Sequence, residues 1–259
     1  MLIQIRFLGK KTNMDQTANK EVEHYRPSKV EWELFHDPHG RPTTPVRMLK
    51  TDGPAFLETK FEPNFSIGHH WHPFDTLYII MDGSMTIGPE GNFEPGDVRW
   101  IKAGHAYGPE VSGDNGVRFF LMSMGNEIGL NWADLYDTPV QLNKRLEKLS
   151  ERWGRANMDE APVSELAPNS QIRTLSSGDP YIERVQMAPQ AELPAYHHDV
   201  GALYLVFAGS IEVVGEGCFA TEELRWIPAE HKSPSITAGD AGADLIIIGV
   251  GALAAFRWN

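Results

Sequence analysis

Residues 72–101 read HPFDTLYIIMDGSMTIGPEGNFEPGDVRWI, and residues 198–227 read HDVGALYLVFAGSIEVVGEGCFATEELRWI. The two stretches lie over one another at a shift of 126 residues. The register extends without a gap from Phe56–Gly125 to Ile182–Gly251. His72 falls on His198, Leu77-Tyr78 on Leu203-Tyr204, and Gly83-Ser84 on Gly209-Ser210. Glu90-Gly91 falls on Glu216-Gly217, Arg99-Trp100-Ile101 on Arg225-Trp226-Ile227, and His105 on His231. An insertion of one residue would turn every later side chain of a strand to the other face, because strands have period two. An ungapped match through so many turn glycines therefore reads as one β-unit written twice.

Each copy is a series of strands. TLYIIMDGSMTIG carries β-formers on both sides of Asp82-Gly83, a pair that predicts a hairpin turn there. DVRWIKAG and GVRFFLMSMG are further strands, matched by ELRWIPA and ADLIIIGVG. The run LIIIGV is apolar on both faces and is expected to be covered on both. Between the copies, Asp137-Thr138-Pro139 has the form of a helix start. Leu142, Leu146, Leu149 and Trp153 then fall at helical spacing, with Lys144, Arg145, Glu147 and Lys148 opposite.

Composition narrows the function classes. The formal charge of −12 repels nucleic-acid phosphates and anionic lipid, so neither is an expected partner. A single cysteine, Cys218, allows no intrachain disulfide, which fits a reducing, cytoplasmic setting. The opening MLIQIRFLGKK has too short an apolar stretch for a secretory signal, and no run of about 18 apolar residues offers a membrane span. Residues 1–13 are read as a tail. The phosphate-loop, nucleophile-elbow and H-E-x-x-H patterns are missing.

GHHWHPFDTLYIIMDG, with His70, His72 and Gly83, and GDVRWIKAGHAY, with Gly96, Asp97 and Gly104, resemble the two motifs of the cupin superfamily. The likeness covers about 70 residues in each copy. It implies an all-β fold: two cupin barrels, jelly-roll-like double-stranded β-helices, joined by a helical linker, as in bicupins. The domain reading is 1–29 as an N-terminal tail or arm, 30–130 as the first barrel, 131–165 as the linker and 166–259 as the second barrel. The family's four-ligand metal set is half present. Thr76 stands where the glutamate ligand is usual, Tyr107 where the final histidine is usual, and Lys102 where proline is usual. In the second copy Tyr196, Ala202 and Ser233 occupy ligand positions, so that copy is expected to be structural.

Residues two apart on a strand share a face, so His70 and His72 can aim two imidazoles into one interior. Imidazole suits iron, zinc, copper and nickel. A third ligand would come from His105 or Tyr107, themselves two apart and on one face if that segment is extended. Thr76 would hydrogen-bond a substrate or bound water. Tyr107 would serve as acid or base if its pKa were lowered. Trp71, Phe74, Tyr78 and Trp100 are candidate walls. His36 and His39 sit in a proline-glycine loop, and His69 and His197 should face outward. The expectation is a mononuclear metal enzyme acting on a small organic substrate, an iron-type oxygenase before a metal-dependent isomerase or lyase. The divalent ion is iron first, with zinc, manganese or nickel as alternatives. The competing expectation is a non-catalytic cupin that binds or senses a small ligand. A homodimer is expected through sheet edges.

Overall fold

The computed structural model describes residues 21–36, 42–126, 128–147 and 151–250. His39, Leu149, Lys148 and the 1–13 tail lie outside them. The chain divides into two compact units, which among the described residues are 30–157 and 21–29 with 158–250.

Each unit is built on a nine-stranded antiparallel sheet. In the first, the order is Trp153–Asn157, Asp97–Ile101, Thr76–Ile87, Glu110–Ser123, Ala55–Phe61, Pro42–Lys50 and Glu33–His36. In the second it is Glu23–Tyr25, Leu224–Ile227, Gly201–Val213, Ile236–Val250, Tyr181–Met187, Ser170–Ser177 and Val163–Ala167. The shift of 126 is obeyed pair by pair. Leu77 faces Trp100 as Leu203 faces Trp226, and Phe61 faces Val117 as Met187 faces Ala243. Sequence repetition is thus hydrogen-bond repetition. The outermost partners are not repeats: Trp153–Asn157 lies beside Asp97–Ile101, whereas Glu23–Tyr25 lies beside Leu224–Trp226. Both strands occupy edges that would otherwise present unpaired backbone groups.

The Asp82-Gly83 pair is not a hairpin turn. Thr76–Ile87 runs straight through it, and the chain reverses at the short helix Gly88–Glu90. Gly83 has φ +72°, and a Cβ there would stand 2.1 Å from the Gly116 carbonyl oxygen. Ladder register shifts at this point, so the glycine serves a bulge that bends a long strand. Gly209 and Gly242 repeat the arrangement, with φ +75° and the same 2.1 Å approach.

The predicted helix is present and shorter. Pro139–Leu146 starts at Thr138, whose side chain accepts from the Gln141 backbone N–H while the Gln141 side chain caps Thr138 in return. This is a capping box. Trp153 departs from the helical reading because it joins a strand opposite Ile101. Helical spacing alone did not reveal that Asp97–Ile101 had an edge to cover. Leu146 and Trp153 both pack against the core of the first unit. As expected for a run covered on both faces, Leu245, Ile246, Ile247 and Ile248 are fully buried. Among the described residues no helix is long and apolar enough to cross a membrane.

Beneath each sheet lies a buried ion pair. Arg99 donates to Glu90 through Nε (2.6 Å) and Nη2 (2.7 Å), and both side chains are fully buried. The repeat places Arg225 on Glu216 in the same way, with Nε to Oε2 at 2.6 Å. Removing one partner of such a pair strands the other charge and costs about 3–5 kcal/mol. Glu90→Gln is expected to lower stability by about that much in urea denaturation. Glu216→Gln should cost less, since the Glu216 side chain is 20% exposed. Replacing both members of the first pair with apolar residues should recover much of the loss, which would separate a stranded charge from lost packing.

Candidate metal centre

The site is built on two short strands and one bridge. His70–Trp71 pairs with Asn131–Trp132. On its other side, His70 and Tyr107 exchange backbone hydrogen bonds of 3.1 and 3.0 Å. His70 and His72 are buried, with ring centroids 5.6 Å apart, so the predicted inward pair is brought together.

Both imidazoles are oriented by backbone carbonyls. His70 Nδ1 donates to the Gly68 carbonyl at 2.9 Å. His72 Nδ1 donates to the carbonyls of Gly129 (2.7 Å) and Ile128 (3.0 Å). With the proton on Nδ1, each Nε2 carries its lone pair toward the interior. Burial pushes His70 down to about 3, with the neighbouring His72 adding to the fall. Burial likewise takes His72 down to about 4. Both rings are therefore neutral near pH 7, the form that binds metal. His72 Nε2 is buried and has no hydrogen-bond partner.

Facing them is Glu110, at the start of Glu110–Ser123 and 1% exposed. Its Oε2 lies 4.0 Å from His70 Nε2, and its Oε1 is buried without a partner. Burial raises its carboxyl to about 7, against the lowering effect of Arg99 and a Tyr78 hydrogen bond. His70, His72, Tyr78 and Glu110 line one cavity of about 60 Å³, with Thr44, Thr59 and mostly apolar residues such as Val46, Leu57, Phe61 and Phe119 forming the rest of its wall. Glu110 was missed in the sequence because it lies three residues beyond the motif that ends at Tyr107.

The remaining predicted residues fall elsewhere. His105 meets the Arg145 carbonyl through Nδ1 at 3.3 Å and does not line the cavity. The 102–106 segment is not an extended strand, so period two does not apply there. Tyr107 is fully buried, and its hydroxyl meets that of Tyr78 at 2.5 Å. Burial, with Glu110 nearby, raises its pKa. Thr76 is buried and donates to the Phe74 carbonyl at 3.1 Å. Of the four candidate walls, Tyr78 lines the cavity. Trp71 instead lies 3.9 Å from the Arg145 guanidinium, Phe74 against Gly125, and Trp100 against Gly154. His69 and His197 are partly exposed.

Among the described residues no three His, Cys, Asp or Glu side chains stand close enough to hold an ion as they are. The donor chemistry nonetheless fits one. Two nitrogen lone pairs and an unpartnered carboxylate oxygen line one cavity. Two donors of one ion stand roughly 3.0–3.4 Å apart at octahedral or tetrahedral angles, so the 4.0 Å separation is a small side-chain adjustment away.

The second unit lacks this convergence. Tyr196 replaces His70, Ser233 replaces Tyr107 and Ile236 replaces Glu110. The Tyr204 hydroxyl meets His198 Nε2 at 3.1 Å, whereas Tyr78 turns to Tyr107 and leaves His72 Nε2 unpartnered.

No protein-family model matches the chain, and no curated protein matches it in sequence. Solved structures do. One is a candidate dioxygenase from Nostoc punctiforme, with TM-score 0.70 and 15% identity over 92% of this chain and 87% of that one. Another is oxalate decarboxylase from Bacillus subtilis at pH 4.6, with TM-score 0.68 and 12% identity over 91% of this chain and 78% of that one. A further structure of that decarboxylase, from a study of its Mn(II) centres, has TM-score 0.66 and 13% identity over the same shares. At 12–15% identity the likeness is one of fold.

The metal-free pH dependence follows from the cavity. Glu110 is raised from 4.5 to about 7, so its contribution to stability is present below pH 4.5 and lost as pH rises through 7. His70 and His72 act oppositely: theirs is full above pH 6.5 and lost as pH falls toward 4 and then 3. In chelator-treated protein, Glu110→Gln should gain about 2 kcal/mol on the parent between pH 5 and pH 8 by urea titration. Both proteins should weaken below pH 6.

Proposed function

We propose that this chain is a two-barrel cupin and a metal-dependent enzyme on a small organic molecule, with its ion in the first barrel. The observation that carries the reading is the unpartnered, inward Nε2 of His72 beside the equally neutral His70. A buried imidazole nitrogen left without a partner costs free energy that a bound ion would offset. In the matching position His198 has its tyrosine, which supports a structural second barrel.

His70 and His72 would hold the ion. When bound, it would supply a centre with open positions for oxygen activation or for polarising a carbonyl. Iron suits two imidazoles with an oxygen donor, and the candidate dioxygenase among the structural relatives accords with an oxygenase. Manganese is the alternative that the decarboxylase brings. The protein's own part is recognition and exclusion. The Gly68, Ile128 and Gly129 carbonyls fix the rings, and the apolar walls keep water out. The cavity lining holds no Lys or Arg, so a substrate would be selected by apolar fit rather than by pairing of anionic groups. The narrow volume of about 60 Å³ favours a small molecule, or a ligand-binding cupin without turnover as the second reading.

Protein produced with iron, manganese, zinc and nickel available should carry close to one equivalent of metal per chain by elemental analysis. His72→Ala should lose most of it. Metal well below one equivalent, or full retention in the variant, would sink the reading. Ligand-dependent melting shifts without metal would favour the non-catalytic cupin.

A further inference from the structure

We infer that Glu110 is the third protein ligand of the metal, so that the first unit holds its ion with two histidines and one carboxylate from outside both cupin motifs. The inference rests on the metal reading above and deepens it.

A carboxylate fully withdrawn from water is stable only when paired, hydrogen-bonded or ligated. Glu110 meets that condition on one side only. Tyr78 reaches its carboxyl, but Oε1 is buried with no partner, and the facing group is His70 Nε2 rather than a cation. The nearest arginine, Arg99, gives its Nε and Nη2 to Glu90 and stacks 4.0 Å from the Tyr107 ring, while its Nη1 has no partner, so no hydrogen bond joins it to Glu110. Two further observations remove the competing ligands. His105 is directed to the Arg145 carbonyl, and the Tyr107 hydroxyl is taken by Tyr78. That leaves His70, His72 and Glu110 as the imidazole and carboxylate groups lining the cavity.

Comparison with the second unit gives an independent argument. The backbone at Glu110 and Ile236 is equivalent: Glu110 pairs with Ile67 and Ile87, and Ile236 with Leu193 and Val213. Ile236 is fully buried. The fold thus accepts an apolar side chain here, and the carboxylate is not required by the strand. Two imidazoles and one carboxylate with open positions form the set associated with iron(II) oxygenases.

The test is metal affinity measured by calorimetry with Co(II) alone, together with the visible absorption of the bound Co(II). Wild type, Glu110→Gln, Glu110→Ile, Glu110→His, His72→Ala and His105→Ala would be compared. Loss of an outer-shell partner typically costs about 10–100-fold in affinity. Glu110→Gln and Glu110→Ile should exceed that range and alter the Co(II) spectrum. Glu110→His, which returns a donor to the same place, should recover much of the affinity, and His105→Ala should change little. Glu110→Ile copies the other unit, and its metal-free melting temperature should match or exceed the parent's, which keeps loss of binding distinct from loss of fold. If wild type binds no Co(II), the metal reading itself fails. If wild type binds, His72→Ala does not, and both Glu110→Gln and Glu110→Ile bind as tightly as the parent with an unchanged spectrum, the carboxylate is not a ligand and only this inference falls.

Discussion

An arginine cannot shed its charge, so one placed in a buried interior dictates what surrounds it. Arg99 sits fully buried on Asp97–Ile101, and its bidentate partner Glu90 is delivered by the short helix Gly88–Glu90. That helix is also where the long strand reverses, with Gly88 at φ +37° and Gly91 at φ +98° on either side of the glutamate. Meeting the charge therefore fixes where the chain turns. The guanidinium face then holds Tyr107 at 4.0 Å and Tyr78 at 5.1 Å, cation–π contacts that set the floor beneath the two histidines. Repetition of Arg, Glu and the glycine after it (Gly91, Gly217) in the second copy is the physical content of the sequence repeat, while Gly88 is matched by Val214.

The same scaffold carries different chemistry because the arginine's spare hydrogens are used differently. Arg225 donates to the Tyr196 hydroxyl at 3.1 Å and to Ser233 at 2.7 Å. Arg99 Nη1 has no such partner, because His70 stands where Tyr196 does and the Tyr107 hydroxyl is turned to Tyr78. The first interior is consequently under-satisfied at Arg99 Nη1, His72 Nε2 and Glu110 Oε1. Native proteins leave few buried polar atoms unpaired, so three such atoms in one interior call for a physical account.

How far the sequence could be read depended on whether the backbone was regular. His70 lies on a paired strand and His72 one residue past its end, where the Gly104 N–H donates to its carbonyl, so both rings are buried as period two suggests. Strand register was legible because Gly83, Gly91, Gly113 and Gly116 recur at the same shift as Gly209, Gly217, Gly239 and Gly242. The failures came at irregular backbone. Gly83 looked like a hairpin residue because a bulge and a turn both need positive φ, and only the partner strand distinguishes them. His105 was paired with Tyr107 by spacing, but the chain between Lys102 and Ala106 is a turn and loop, with Gly104 at φ +75°. Trp153 fitted a helix by spacing and a strand by pairing, and an open sheet edge decided between them. Glu110 was visible only by comparison: laid over Ile236, it is a carboxylate at a position its twin keeps apolar.

Backbone and chemistry are therefore under separate constraints in this chain. The buried Arg–Glu pairs and bulge glycines govern the path of the sheets, and they can persist while donor atoms in the cavity change. This is why a likeness of fold at 12–15% identity extends over nine-tenths of the chain without carrying a reaction with it. Oxalate is a small dianion, and a site for it needs positive charge at both ends. The cavity here offers apolar walls and a carboxyl group, with its nearest buried cation already neutralised by Glu90. Any ion bound by His70 and His72 would have to supply all of the positive charge, and a lining carboxylate would cancel part of it. On the metal reading proposed above, such a site would favour neutral or singly charged apolar molecules, whichever ion it held.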